Sequence, residues 1–267
     1  MTSMVHPVVD TDLSDITLPA VRYVGRCPQT KGERALRPTA EVIAHAEVLK
    51  DYLTARRTAD TGFSTRNLYE EKNGKMFGVM LCRDARGQLG TLRAFSGEWE
   101  DRWHPPGWVP SSGNLCEYSA EREETEAQVA LLTQHIEELK NLPSTKSIRR
   151  KIEQTKNERG NLSRTLTDHM HDAYRFENFL GEIMPLKEVE TGGPRPPTGM
   201  GDCCAPKLLQ YAARHRLDPL GMVEFWWGAS SQMHPRIEGT YYSSCEHKCY
   251  PILGFMLRGA QAAEVST

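Results

Sequence analysis

The spacing of apolar and polar residues predicts a small sheet with helices on its faces. Apolar positions three and four apart are typical of amphipathic helices, and short apolar runs bounded by turn residues are typical of buried strands. A turn at 84–87 joins two such runs and predicts a hairpin. The predicted core elements are helix 41–57, strands 75–82, 89–95 and 222–227, and helices 205–215 and 250–258.

Two long helices are predicted within 118–172, with a polar break between them where Ser144 is expected to cap the second helix. A tight turn between two helices predicts an antiparallel hairpin. Residues 117–140 hold seven acids and two bases, whereas 144–164 hold seven bases and two acids. Three interpretations stay open: the charges pair across the hairpin, the bases follow an RNA backbone, or the helices dimerise as a coiled coil. The bases predicted to contact RNA are Arg149, Arg150, Lys151, Lys156 and Arg159.

The chain as a whole is predicted to consist of successive segments around one α/β core. Scattered prolines predict extended structure at the start, and a loop at 98–116 carries Trp99, Trp103 and Trp108, for which core packing is favoured over a binding surface. The segments are an N-terminal arm at 1–40, the first part of the core at 41–116, the helical hairpin at 117–180, a Pro/Gly linker at 181–200, the second part of the core with the cysteine motifs at 201–259, and a tail at 260–267.

Composition and charge exclude some classes of function for this chain. The 267 residues carry a net charge of −2, so any nucleic-acid surface must be local. No segment approaches the roughly 18 consecutive apolar residues of a membrane span, and the first residues lack the pattern of a signal peptide. These features predict a cytoplasmic protein without a membrane partner. Seven cysteines, an odd number, indicate thiols or metal ligands rather than a disulfide framework.

Two pairs of cysteines in the last quarter of the chain predict a zinc site. Cys203 with Cys204, and Cys245 with Cys249, each precede a predicted helix. Zinc takes thiolates in a tetrahedral arrangement, and a helix start favours a thiolate. We therefore predict Zn²⁺ held by Cys203, Cys245 and Cys249, with water, Cys204 or His247 as the alternatives for the fourth position. Reduced cysteines in a tight core are the competing interpretation.

The order of the elements resembles the cytidine deaminase-like fold. In that fold the first motif is His- or Cys-x-Glu, often followed by Pro-Lys, and the second is Pro-Cys-x-x-Cys. Residues 203–207 look like the first motif. The resemblance implies a three-layer α/β core with a small mixed sheet, into which the helical hairpin is inserted. The chain departs from the pattern because Ala205 stands in the glutamate position and three residues separate Cys245 from Cys249.

Deaminase chemistry needs an acid that moves protons between the attacking water and the leaving amine. Asp202 and Glu224 are the candidates in this chain. Trp226 or Trp227 is predicted to stack on a base, and Lys207 is a further predicted substrate contact. Without one of the two acids, the zinc is expected to be structural or the site silent.

A second resemblance covers residues 70–259 and is carried by a joint pattern of motifs. The pattern resembles the N-terminal extension of some bacterial RluA-type RNA pseudouridine synthases, although the synthase domain is absent. This resemblance implies an RNA-modification setting, with RNA or a nucleotide and a pseudouridine synthase as expected partners. The motifs are 75–79, 94–97, the charged hairpin, 201–209, 224–228 and 241–257.

We therefore expect a zinc-binding, deaminase-like protein that acts on or beside RNA or a nucleotide. If it is an enzyme, it is a zinc-dependent hydrolase of the nucleobase deaminase type. One alternative is a non-catalytic RNA-binding or assembly module with structural zinc, associated with pseudouridine synthase activity. Another is a pseudouridine synthase by family label only, without its active site.

Overall fold

The chain is a mixed α/β protein, as predicted. The computed structural model describes residues 4–8, 12–59, 62–70, 73–100, 105–189, 195–230 and 235–266. It divides into two compact units. One unit combines Met1–Ser112 with Arg175–Thr267, and the other is Gly113–Tyr174.

The described residues form the following helices and strands. The helices are α1 Ala40–Ala55, α2 Ser119–Lys140, α3 Lys146–Asp172, α4 Cys204–Arg214 and α5 Tyr250–Met256. The strands are β1 His6–Pro7, β2 Tyr23–Arg26, β3 Glu33–Leu36, β4 Lys75–Arg83, β5 Leu89–Phe95, β6 Arg175–Glu177, β7 Ile183–Pro185, β8 Asp218–Trp227 and β9 Glu264–Ser266. Within the described ranges, no helix combines the length and apolar character needed to cross a membrane.

The central sheet has the strand order β1-β5-β4-β8, and each of its pairings is antiparallel. A mixed sheet was predicted, so this detail is corrected. The tight turn between β4 and β5 makes that pair antiparallel, and β8 runs back along the opposite edge of β4, where Phe77 pairs with Phe225. β8 also begins at Asp218, earlier than the predicted strand at 222–227.

One face of this sheet builds the hydrophobic core with α1. Phe77, Val79, Val223 and Phe225 alternate on that face and are buried with the apolar side of α1. Trp99 and Trp108 join the same cluster at 4% and 3% exposure, so core packing is confirmed for these two tryptophans. Trp103 lies outside the described residues.

The opposite face of the sheet receives α4. A side chain at Gly78 would bring its Cβ within 2.7 Å of the Cys204 Cβ and within 3.5 Å of the Glu224 Cγ. Gly78 therefore lets the first turn of α4 lie directly on the sheet. The sheet thus has a helix on each face, and α4 begins against its middle strand.

Both ends of the chain form more structure than was predicted. β2, β3 and β9 make a three-stranded antiparallel sheet in which Ala35 pairs with Glu264. Tyr23 and Leu36 of this sheet are fully buried. Scattered prolines predicted an extended arm at 1–40, and residues 260–267 were expected to form a tail, but pairing between distant strands orders part of both.

The contact between β2 and α5 depends on two glycines. A Cβ on Gly254 would meet the Arg26 carbonyl carbon at 2.2 Å and the Cys27 nitrogen at 2.3 Å, while a Cβ on Gly25 would meet the Gly254 nitrogen at 2.4 Å. Backbone atoms cannot swing aside as flexible side chains can. The close approach of α5 to β2 therefore requires both glycines.

We expect Gly254→Ala to lower the free energy of unfolding by about 3 kcal/mol, because the added methyl group pushes α5 away from β2. The measurement is urea denaturation followed by circular dichroism. Gly160→Ala is the matched control, since it lies within α3 and a Cβ there meets nothing within 4 Å. It should instead raise helix stability by about 1 kcal/mol. Equal stability of the two variants would contradict the proposed packing.

In the second unit, α2 and α3 contact each other along their lengths. Arg159 Nη1 donates to Thr133 Oγ1 at 3.2 Å, and His169 Nδ1 lies 2.6 Å from a Glu121 carboxylate oxygen. The predicted cap is shifted by one residue. Thr145 caps α3, because its hydroxyl accepts the Ile148 N–H at 3.2 Å and its backbone is extended.

Candidate metal centre

Three cysteine thiols converge in the first unit. The sulfur atoms of Cys203, Cys245 and Cys249 all lie within 4.8 Å of one another. Cys245 Sγ and Cys249 Sγ are 3.4 Å apart. This group could hold a metal ion, and it contains the three cysteines predicted as ligands.

Local backbone structure explains the convergence. Cys203 is the N-cap residue of α4 and has an extended backbone. Cys245 and Cys249 flank a turn before α5, in which the Cys249 and Tyr250 N–H groups donate to the Cys245 carbonyl at 3.2 and 3.1 Å. The turn places both thiols on the side that faces the start of α4.

The spacing of the thiols suits a tetrahedral metal ion. Thiolates about 2.3 Å from zinc in a tetrahedral site lie about 3.8 Å apart. The separations in this cluster, up to 4.8 Å, are close to that value. Among the described residues, three ligand atoms lie this close together. A tetrahedral zinc ion held by these three thiolates would have one further coordination position.

The two alternatives for a fourth protein ligand lie elsewhere. Cys204 is fully buried, and its thiol donates to the Met76 carbonyl at 3.2 Å, toward the sheet. Adjacent residues at a helix start point in different directions, which separates Cys204 from Cys203. His247 is exposed, lines a neighbouring cleft and is not part of the thiol group.

Hydrogen bonds among the three thiols shift their pKa values in different directions. The bond from Cys203 lowers the pKa of Cys245, and the same interaction raises the pKa of Cys203. Cys203 also stands at the positive end of α4. A lowered thiol pKa favours the thiolate form that binds a metal ion.

Glu224 places a carboxyl group beside this cluster. It is 3% exposed, and Oε1 accepts the Ala205 N–H at 2.6 Å. Burial raises its pKa to about 8, and the charge of Cys245 adds to that shift while the Ala205 hydrogen bond opposes it. Glu224 is not among the groups within 4.8 Å of one another, so it stands next to the thiols without joining their ligand set.

The position of Glu224 relates directly to the departure at Ala205. The deaminase-like pattern expects a glutamate at position 205, on the helix. Here the β8 side chain of Glu224 reaches the backbone N–H of that same residue. A carboxyl group therefore stands at the first turn of α4, although the sequence supplies it from a strand.

Asp202 is held away from the cluster. Its Oδ1 accepts the Ser111 hydroxyl at 3.0 Å, and its carbonyl accepts the Gly97 N–H at 2.8 Å. It is 8% exposed and is not part of the thiol group. These contacts give Asp202 a role in joining the loop before α4 to the end of β5, and they leave Glu224 as the acid beside the thiols.

The substrate contact predicted for Lys207 needs correction. Lys207 is 1% exposed, and its ammonium donates to the carbonyls of Phe95 and Gly97. Burial lowers its pKa, and the nearby Asp202 charge opposes that shift. The ammonium is fully engaged inside the protein, where it caps the end of β5.

The two predicted stacking residues lie on opposite faces of the sheet. Trp227 is 7% exposed and belongs to the core cluster with Phe225, so its stacking role is also corrected. Trp226 is half-buried, and its Nε1 donates to the Gly228 carbonyl at 3.2 Å. Since side chains alternate along a strand, Trp226 shares the sheet face of Glu224.

The basic side chains of α3 stand in the second unit. Arg149, Arg150, Lys151 and Lys156 are exposed, and none of them forms an ion pair within the described chain. Arg159 is half-buried and bonds Thr133 of α2. Pairing of opposite charges between the helices is seen for His169 with Glu121, not for these four bases.

Sequence reasoning missed one residue that positions Glu224. The Tyr23 hydroxyl accepts the Glu224 N–H and donates to the Tyr242 carbonyl at 3.0 Å. Burial raises the pKa of Tyr23 well above its usual value, so the hydroxyl stays protonated. A tyrosine between short polar runs near the start of the chain carries no pattern that could have identified this contact.

Comparison of the chain with known proteins finds no matching family model, no matching curated protein and no matching solved structure. The chemistry of the site is therefore inferred from its own residues.

Proposed function

We propose that the protein is a zinc-dependent hydrolase of the nucleobase deaminase type, acting on RNA or a nucleotide. The observation that carries the proposal is the placement of the buried Glu224 carboxyl beside three convergent thiols, at the first turn of α4. The deaminase-like three-layer core and the inserted antiparallel hairpin belong to the same proposal.

The donor set favours zinc. Three thiolates with a remaining tetrahedral position are a soft, zinc-preferring set of the kind found in catalytic sites, whereas structural sites are closed by four protein ligands. When bound, zinc would supply Lewis-acid activation of a water molecule. The ligands would be Cys203, Cys245 and Cys249.

Glu224 would move the proton that this chemistry requires. Its Oε1 is held by the Ala205 N–H, and its second oxygen has no hydrogen bond within the described residues. A carboxyl group with one oxygen anchored and the other available can accept a proton from water and deliver it to a leaving amine. Trp226, on the same sheet face, would offer a ring surface for the base.

The resemblance to the N-terminal extension of RluA-type synthases supports an RNA setting. It rests on motifs that include the residues now found around the thiols: 201–209, 224–228 and 241–257. A synthase partner and a cytoplasmic location are retained as part of this proposal.

The deciding experiment combines metal analysis with turnover. The full-length protein would be purified, its zinc measured by mass spectrometry, and deamination of cytidine, adenosine and their RNA forms followed by chromatography. One zinc per chain with deamination supports the enzyme. Zinc without turnover on any of these substrates would replace it with the structural-zinc module, and failure to bind zinc would overturn both.

A second candidate function is RNA binding by α3, with or without catalysis. The exposed bases of α3 support this function, because four of them form no ion pair within the described chain. If charges paired across the hairpin, acidic side chains of α2 would contact these bases. Exposed lysines and arginines along one helix suit a phosphate backbone. Dimerisation through α2 and α3 is the competing proposal for this unit.

We expect the joint change Arg149→Glu, Arg150→Glu and Lys156→Glu to weaken binding of single-stranded RNA at least tenfold at about 0.1 M salt, because three phosphate contacts become repulsive. Fluorescence anisotropy with a labelled oligonucleotide measures this. Arg214→Glu, an exposed base at the end of α4, is the control. Affinity that is independent of both salt and these substitutions would remove α3 as the RNA contact.

A further inference from the structure

A cleft of about 630 Å³ lies beside the cysteine-bearing turn. Three separate segments line it. The end of β2 and the turn after it contribute Arg26 and Lys31. The segment that leads to α4 contributes Pro197, and the turn between Cys245 and Cys249 contributes Glu246 and His247. The cleft is therefore bounded by chain segments adjoining the metal centre.

Among the described residues that line the cleft, the bases outnumber the acids. Arg26 and Lys31 are exposed bases in its lining. Glu246 is the acid among the lining residues. The Arg26 Nε donates to the Lys31 carbonyl at 3.1 Å, and this bond uses one of the five N–H donors of the guanidinium.

The other residues that line the cleft are an aromatic residue and prolines. Tyr250 and the prolines Pro28, Pro197 and Pro251 line it. The Tyr250 hydroxyl donates a hydrogen bond to the carboxylate of Glu33 in β3. This bond fixes the orientation of the ring and engages the Glu33 carboxylate. A guanidinium, an ammonium and a fixed aromatic ring together suit a ligand with a phosphate group and a planar ring.

We propose that this cleft binds the phosphate of a nucleoside phosphate, so that the substrate is a nucleotide, free or within RNA, rather than a free nucleoside or base. The inference rests on the proposed function, because it names the substrate class of that centre. Glu246 and His247 lie between two of the thiol residues, so a phosphate held here stays close to the site of reaction.

The test is isothermal titration of the zinc-loaded full-length protein with cytidine 5′-monophosphate, cytidine and inorganic phosphate. We expect the monophosphate to bind at least tenfold more tightly than either of the others. Arg26→Glu combined with Lys31→Glu should weaken its binding at least tenfold. Arg22→Glu reverses one charge on an exposed residue before β2 and outside the cleft, and it should leave the affinity unchanged.

A neutral pair of substitutions keeps the test valid if charge reversal unfolds the turn. Arg26→Gln with Lys31→Asn removes both charges, and asparagine tolerates the Lys31 φ of 59°. Monophosphate binding that ignores both pairs, or equals that of cytidine, would overturn the cleft. Inorganic phosphate binding as tightly as the monophosphate would do so too.

The same titration on Cys245→Ser separates this inference from the proposed function. Charge-dependent binding of the monophosphate to this variant, which lacks a zinc ligand, supports the cleft whether or not zinc is bound. The same binding by the unsubstituted protein, with no turnover of any substrate, supports the cleft and counts against the hydrolase. Deamination that persists unchanged in the Arg26 and Lys31 variants supports the hydrolase and overturns the cleft.

Discussion

Replacing Cys245 by serine should lower zinc affinity at least about 100-fold. Loss of a supporting contact around a metal site already costs about 10–100-fold, and loss of a thiolate removes a direct bond. Hydrogen bonds with Cys203 and Cys249 also lower the pKa of Cys245, which favours the thiolate form that binds zinc. Competition with a chromophoric chelator measures the affinity, and Cys203→Ser and Cys249→Ser should behave alike.

Cys204→Ser provides the matched control for these variants. Cys204 adjoins Cys203 in sequence, but its thiol bonds the Met76 carbonyl and lies outside the cluster. A serine hydroxyl can make the same bond, so zinc binding should remain. If folded Cys204→Ser lost zinc as completely as Cys245→Ser, the ligand set would be wrong, and circular dichroism establishes that each variant is folded.

Much of the core of the fold was predictable because its elements are periodic. α1 was predicted at 41–57 and runs from Ala40 to Ala55, and β4 and β5 match the predicted hairpin almost to the residue. Their apolar residues alternate or recur at fixed intervals, which is a local property of the sequence. β2, β3 and β9 escaped prediction because each is three or four residues long and is ordered by partners far away in the chain.

The residues of the metal centre also differ in whether a local sequence pattern could identify them. Cys203, Cys245 and Cys249 could be predicted because paired cysteines before helices are a local signal. Choosing Glu224 over Asp202 required the structure, since sequence position does not show that Asp202 bonds Ser111 while Glu224 reaches Ala205. Lys207 was misassigned because a lysine is usually exposed, and burial beneath two carbonyls leaves no pattern in the sequence.

The structure also gives a reason for glutamate at position 224. A buried carboxyl group costs free energy unless it is hydrogen-bonded, and a well-packed apolar residue would fill the same space at lower cost. The protein instead holds this carboxyl group with the Ala205 N–H and fixes the backbone of Glu224 with the Tyr23 hydroxyl. A buried acid that is held by specific contacts in this way is typical of a functional site.

We therefore expect Glu224→Gln to abolish turnover while leaving zinc bound. Glutamine has the same shape, and its amide oxygen can accept the Ala205 N–H, but it cannot shuttle a proton. Loss of a general acid or base typically lowers the rate by about 10²–10⁴-fold. Asp202→Asn is the control, because its contacts are structural and its turnover should fall far less at equal zinc content. Turnover surviving in Glu224→Gln, but not in Asp202→Asn, would transfer the proton-moving role to Asp202. Loss of zinc in Glu224→Gln would instead make Glu224 part of the metal's coordination rather than its proton shuttle.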